Sequence, residues 1–193
     1  KGGMGEVWLA FDRELQTRVA IKRLPQEFSS RPKFLKSIRQ EAKIAMQLTH
    51  PGIARLYNFE STEGENFLVM EYVSGVSLDR IIAERGRLTL AEMLRIAKPL
   101  ADAIDYAHTQ NVLHRDIKPA NIIVQLAEGG AADLQINAVK MLDFGIACMM
   151  HETARLFTGK TDIGTLPYMS AEQVRGDVLS PRSDVYAFAA TLY

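Results

Sequence analysis

One run of eight residues, His114-Arg115-Asp116-Ile117-Lys118-Pro119-Ala120-Asn121, carries the densest reactive chemistry in the chain. It sets a carboxylate, two cations and a carboxamide within one short stretch. Asp116 is suited to take the proton of an attacking hydroxyl. Lys118 is suited to neutralise charge on a transferring phosphate. Asn121 offers a hard oxygen donor to a metal ion. Further on, Asp143-Phe144-Gly145 follows the apolar run 139–142. An aspartate at a strand end, with a glycine freeing the backbone behind it, makes a good magnesium ligand, although such a tripeptide also arises readily by chance.

Upstream lie features that would hold a phosphate. Gly2-Gly3-Met4-Gly5-Glu6-Val7 clusters glycines whose N–H groups can approach phosphate with no Cβ in the way, or which simply form a hairpin tip. Val19-Ala20-Ile21-Lys22 ends an apolar strand on a lysine, which alone reads more readily as a side chain reaching for solvent. Glu41 changes that balance. It falls three residues after Ile38 and four before Ala45, along the apolar face of a predicted helix. A carboxylate there needs a partner, because burying an unpaired charge is costly. Lys22 is the natural candidate, and such a pair would aim the lysine at bound phosphate.

These residues need elements to position them. Residues 7–11 and 18–24 read as paired strands, and 53–59 with 67–73 as a hairpin around 61–64. Leu35, Ile38, Ala42, Ala45 and Leu48 predict a helix over 33–48, stopped by Pro51-Gly52. Ser77 is placed to cap a short helix ending near Gly86. Thr89-Leu90-Ala91-Glu92 fits a capping box that opens a long helix to about His108, with a kink or break expected at Pro99. Short strands are expected over 122–125 and 139–142. Strands dominate the first 73 residues and helices most of the rest. The fold class is therefore α+β in two lobes, 1–73 and 74–193, with a boundary near 72–76.

Composition narrows the function classes. The chain has 193 residues, with 23 Lys+Arg balanced by 23 Asp+Glu. Zero net charge gives no electrostatic case for nucleic acid or an anionic membrane as the main partner. One cysteine, Cys148, excludes an internal disulfide framework and a multi-cysteine zinc site. No stretch reaches the ~18 apolar residues of a spanning helix. The chain starts at Lys1 without methionine and stops within an apolar pattern at Tyr193. It is expected to be a piece of a longer protein, cytoplasmic in itself, whose membrane anchor or sensor domain would lie outside it.

Together the motifs resemble the eukaryotic-like Ser/Thr protein kinases, and the wording of residues 2–7 and of Tyr168-Met169-Ser170 is similar to bacterial members. The resemblance implies a small β-rich N-lobe with one helix and a mainly helical, incomplete C-lobe. It implies ATP and Mg2+ as cofactors and a protein bearing Ser or Thr as partner. Gly2 and Gly5 would cover the ATP phosphates, with Val7 and Ala20 lining the nucleotide site. Lys22 would meet the α- and β-phosphates and pair with Glu41. Met70 resembles the residue at the back of the adenine pocket, and Glu71 through Val73 the hinge whose backbone meets adenine. Asp116 would be the catalytic base, Lys118 would meet the γ-phosphate, and Asn121 and Asp143 would hold magnesium. Arg115 resembles the arginine that pairs with a phosphorylated activation segment, here residues 143–172. Thr165 resembles the threonine that touches the catalytic loop, while Thr158 and Thr161 are the phosphosite candidates. His114 is expected to pack beneath the loop, and Asp184 to brace it. Cys148 is expected to be a bystander.

The sequence departs from that pattern in places. Ser170-Ala171-Glu172 lacks the usual central proline, Ala189 stands where many members have glycine, and the link over 126–137 is long. Glu172 would pair with an arginine lying beyond Tyr193. The leading glycine would precede Lys1. The expected function is ATP-dependent phosphorylation of protein Ser/Thr hydroxyls, with activation-segment autophosphorylation. The alternatives are a catalytically weak pseudokinase scaffold, kept open by Ala171, and a small-molecule phosphotransferase, opposed by the His114-Arg115-Asp116 loop with Lys118.

Overall fold

The computed structural model describes residues 6–26, 32–127, 134–144 and 164–193. Four antiparallel strands, β1 (Val7–Asp12), β2 (Thr17–Arg23), β3 (Leu56–Thr62) and β4 (Glu65–Glu71), form a sheet in the order β1-β2-β4-β3. The Asp12 carboxylate accepts the N–H groups of Glu14 and Leu15, both at 2.9 Å, and so closes the β1–β2 turn. The second hairpin is tighter than 61–64 suggested. Glu63 and Gly64 take φ of 51° and 80°, a two-residue turn whose twist matches the strands, so Ser61 and Thr62 extend β3.

Helix α1 (Pro32–Ala45) buries Ile38, Ala42 and Ala45 against this sheet, in a core with Leu24, Leu56 and Leu68. It stops three residues earlier than its apolar pattern predicts. Beyond Ala45 the chain tightens: the Gln47 N–H donates to the Ile44 carbonyl and the Leu48 N–H to that of Ala45. Leu48 and Ile53 then belong to a second, larger core. Ile53 bridges in parallel to Met141, the Ala54 N–H donates to the Met141 carbonyl, and the Met141 N–H donates to that of Gly52. This segment therefore ties the first core to the second, which is why β3 begins at Leu56 and not at Ile53.

The second core is built on α2 (Leu78–Arg85), α3 (Leu90–Thr109) and a three-stranded sheet, β5-β6-β7, of Val76–Ser77, Ile122–Leu126 and Ile136–Met141. Ser77 stands at the N-cap of α2, and Gly86 ends it with φ of 78°. Thr89 and Glu92 form a complete capping box on α3. Pro99 does not break α3. Its missing N–H frees the carbonyl of Arg95, an exposed residue where water can take the bond. Ile96, Leu100, Ala103, Ile104 and Ala107 give α3 its continuous buried stripe. Two further helices, α4 (Ala171–Arg175) and α5 (Pro181–Leu192), complete the described chain.

Candidate active site

The loop after α3 is held from beneath by one carboxylate. Asp184, in the first turn of α5 and 1 % exposed, accepts the His114 N–H on Oδ2 and the Arg115 N–H on Oδ1, both at 2.8 Å. His108, in the last turn of α3, lies with Nε2 at 2.9 Å from the same Oδ2. Arg115 is thereby held at φ 65°, a conformation unusual for a residue with a Cβ. Gln173 on α4 donates to its carbonyl at 2.7 Å. The expected bracing by Asp184 is thus present, with His108 and Gln173 as supports that sequence reasoning missed. A histidine in a last helical turn reads simply as a favourable C-terminal cation, and its partner lies 76 residues away.

His114 is fully buried. Its Nε2 donates to the Leu142 carbonyl at 2.9 Å, and its Nδ1 accepts the Asp116 N–H at 3.2 Å, which fixes the tautomer. Its ring centroid lies 4.5 Å from that of Phe144. One histidine thus ties the 114–121 loop to the strand end that carries Asp143.

Four predicted residues meet above this support. Asp116 Oδ2 accepts Asn121 Nδ2 at 2.8 Å and lies 3.1 Å from Lys118 Nζ. Asn121 Nδ2 also donates to the Asp116 carbonyl at 2.8 Å. Lys118 Nζ donates to Thr165 Oγ1 at 2.7 Å. Asp116, Lys118 and Thr165 are all buried, so their mutual hydrogen bonds take the place of water.

The expected Lys22–Glu41 pair is not formed. Lys22 Nζ instead contacts Asp143 Oδ2 at 2.6 Å, and Glu41 Oε1 lies 3.6 Å from Arg115 Nη1. The backbone of Asp143, at φ 61°, presents its carboxylate to the lysine, and the left-handed turn at Arg115 brings the guanidinium beneath α1. Burial pushes the Asp143 carboxyl upward, but the charge and hydrogen bond of Lys22 outweigh it and hold the group below its ordinary value.

The β1–β2–β4 register sets Val7 opposite Lys22 and Ala20 opposite Met70, so these four share one sheet face, as a nucleotide site requires. Glu71 ends β4, and Val73 follows it. Gly2, Gly5, Cys148, Thr158 and Thr161 lie outside the described residues. At Ser170-Ala171-Glu172, Ser170 forms a capping box with Gln173, and Ala171 takes the first helical position, where proline is also tolerated. Ser183 Oγ donates to Glu172 at 2.6 Å, and this bond is the leading cause that lowers the Glu172 carboxyl from its ordinary value.

Comparison with known proteins gives the family. The family model described as protein kinase domain matches residues 1–193. The chain is 38% identical over 197 aligned positions to the serine/threonine-protein kinase PknA of Mycobacterium tuberculosis, covering all of this chain and 43% of that protein. It is equally similar, at 38%, to PknB of Mycolicibacterium smegmatis, covering 30% of it. The chain therefore spans less than half the length of these relatives. The crystal structure of a cysteine-to-alanine mutant of the Mycobacterium tuberculosis PknI kinase domain superposes with a TM-score of 0.76 at 28% identity, covering all of this chain and 68% of that one. Rad53 in complex with AMP-PNP gives 0.74 at 26% identity, over all of this chain and 44% of that one. With sheet, helices, loop and whole-chain match in agreement, this chain belongs to the protein kinase family and carries its fold, a β-sheet N-lobe joined to a helical C-lobe.

Proposed function

We propose that the protein carrying this chain transfers the γ-phosphate of ATP to Ser and Thr hydroxyls of protein substrates, its own activation segment included. The supporting observation is the buried Asp116–Lys118–Asn121–Thr165 network. Asp116 takes the hydroxyl proton, and Asn121 fixes the carboxylate that receives it. Lys118 stands within reach of that carboxylate, so its charge lies where the transferring group becomes more negative. Thr165 holds the lysine in place.

The residues fit magnesium. Asn121 spends its Nδ2 hydrogens on Asp116, which leaves Oδ1 as a donor, and the Asp143 carboxylate supplies a second hard oxygen. Among the described residues no three His, Cys, Asp or Glu side chains gather to cage a metal, so phosphate oxygens would complete the shell. When bound, magnesium neutralises charge on the phosphates.

The observed ion pairs belong to a resting arrangement in this reading. Phosphate on Thr158 or Thr161 draws Arg115 from Glu41, Glu41 then takes Lys22, and Asp143 is released for magnesium. The lobes divide as 1–73 and 74–193. No described helix is long and apolar enough to cross a membrane. We assign the domain to the cytoplasm, where ATP is available.

The test is transfer of labelled γ-phosphate from magnesium-ATP to a generic Ser/Thr-containing protein, beside an Asp116→Asn control. Label on Ser or Thr with the wild type alone supports the proposal. ATP binding without transfer would support a scaffold instead.

A further inference from the structure

Glu71 is expected at the hinge for its backbone, yet its side chain is the more heavily engaged part. Lys140 Nζ on β7 contacts both carboxylate oxygens, at 2.7 and 2.9 Å. The Arg55 N–H donates to Oε2 at 3.1 Å, and the Glu71 N–H donates to the Arg55 carbonyl at 2.8 Å. The two side chains are 18% and 25% exposed, which screens the pair less than an open surface would. Glu71 is thus gripped from β7 and from the start of β3 at once. It directly precedes the stretch that joins the two cores.

Lys140 stands three residues before Asp143 on the same strand exit. One ion pair therefore connects the adenine end of the nucleotide site with the strand that presents the metal-binding aspartate. We propose that Lys140 is a positioning residue for the nucleotide: its grip on the Glu71 carboxylate fixes the peptide groups of residues 71–73 in the orientation that adenine needs. Lys140 itself touches no part of the nucleotide. Its contribution is preorganisation, which lowers the ordering cost of binding. The inference rests on the reading of this chain as an ATP-binding kinase domain.

The experiment uses the natural full-length protein and measures ATP binding by calorimetry together with steady-state KM for ATP and kcat. The variants are Lys140→Met and Lys140→Arg, each also followed by thermal melting. Lys140→Met is expected to weaken ATP binding and raise KM about tenfold with kcat changed less than about twofold, the scale of a lost, partly buried charge pair. Lys140→Arg keeps the charge and is expected to recover most of the loss, which general damage to the fold would not allow. If wild type binds ATP and Lys140→Met binds it equally well, or if Lys140→Arg melts like wild type yet recovers nothing, the proposal is overturned. A wild type that binds no ATP overturns the underlying kinase reading as well.

Discussion

Two neighbours share one oxygen of Asp116, the carboxylate proposed as the base: Asn121 at 2.8 Å and Lys118 at 3.1 Å hold it in place. Asp116→Asn keeps the shape but cannot take a proton. It is expected to lower kcat by about 10²–10⁴-fold while ATP affinity stays near wild type, as checked by steady-state kinetics and calorimetry. The residues of this network were legible in the sequence because three of them sit within one loop of six residues, where spacing alone forces proximity. The partner of Lys22 was not. Glu41 lies along the apolar face of α1 as predicted, yet which carboxylate reaches the lysine depends on how α1 sits over the loop. Asp143 is 121 residues from Lys22, and no periodicity reports that approach.

At the scale of elements, Glu92 joins three pieces of chain. It accepts the Thr89 N–H and hydroxyl, the Leu134 N–H and a charged bond from Arg85. The Thr89 N–H, ahead of the opposing effect of burial and of the other donors, brings its carboxyl down to about 2 from an ordinary 4.5. A carboxyl depressed on folding adds stability above its unfolded value and loses it as pH falls through the folded one. Thermal melts of Glu92→Gln are therefore expected to lie furthest below wild type above about pH 5 and to converge with it toward pH 2. Gly75 carries a second prediction. Its φ of 157° and a built Cβ only 2.6 Å from the Val124 carbonyl oxygen leave no room for a side chain where β5 pairs with β6. Gly75→Ala is expected to cost about 1–3 kcal/mol in denaturant unfolding. The start of α3 was readable from Thr89 and Glu92 because a capping box is local chemistry, whereas Ser77 takes the N-cap position of α2 without a side-chain cap bond. The end of α1 and the start of β3 were not, because Leu48 and Ile53 answer to the second core and not to their own segment.

Over the whole molecule, two apolar cores are tied together by the segment at Ile53 and by the Lys140–Glu71 pair, with the 114–121 loop resting on the larger core through Asp184. The ion pairs Lys22–Asp143 and Glu41–Arg115 link the lobes in their present setting. Glu41→Gln removes the partner proposed for Lys22 in the active arrangement, and it is expected to lower kcat/KM for ATP by about tenfold or more in steady-state assays. Phosphoryl transfer by this site is tested most directly by the intact mass of the protein after incubation with magnesium-ATP, beside an Asp116→Asn control. Added phosphate is expected in the wild type alone, mapping to Thr158 or Thr161. Wild-type protein that binds ATP yet gains no phosphate and labels no substrate would contradict it.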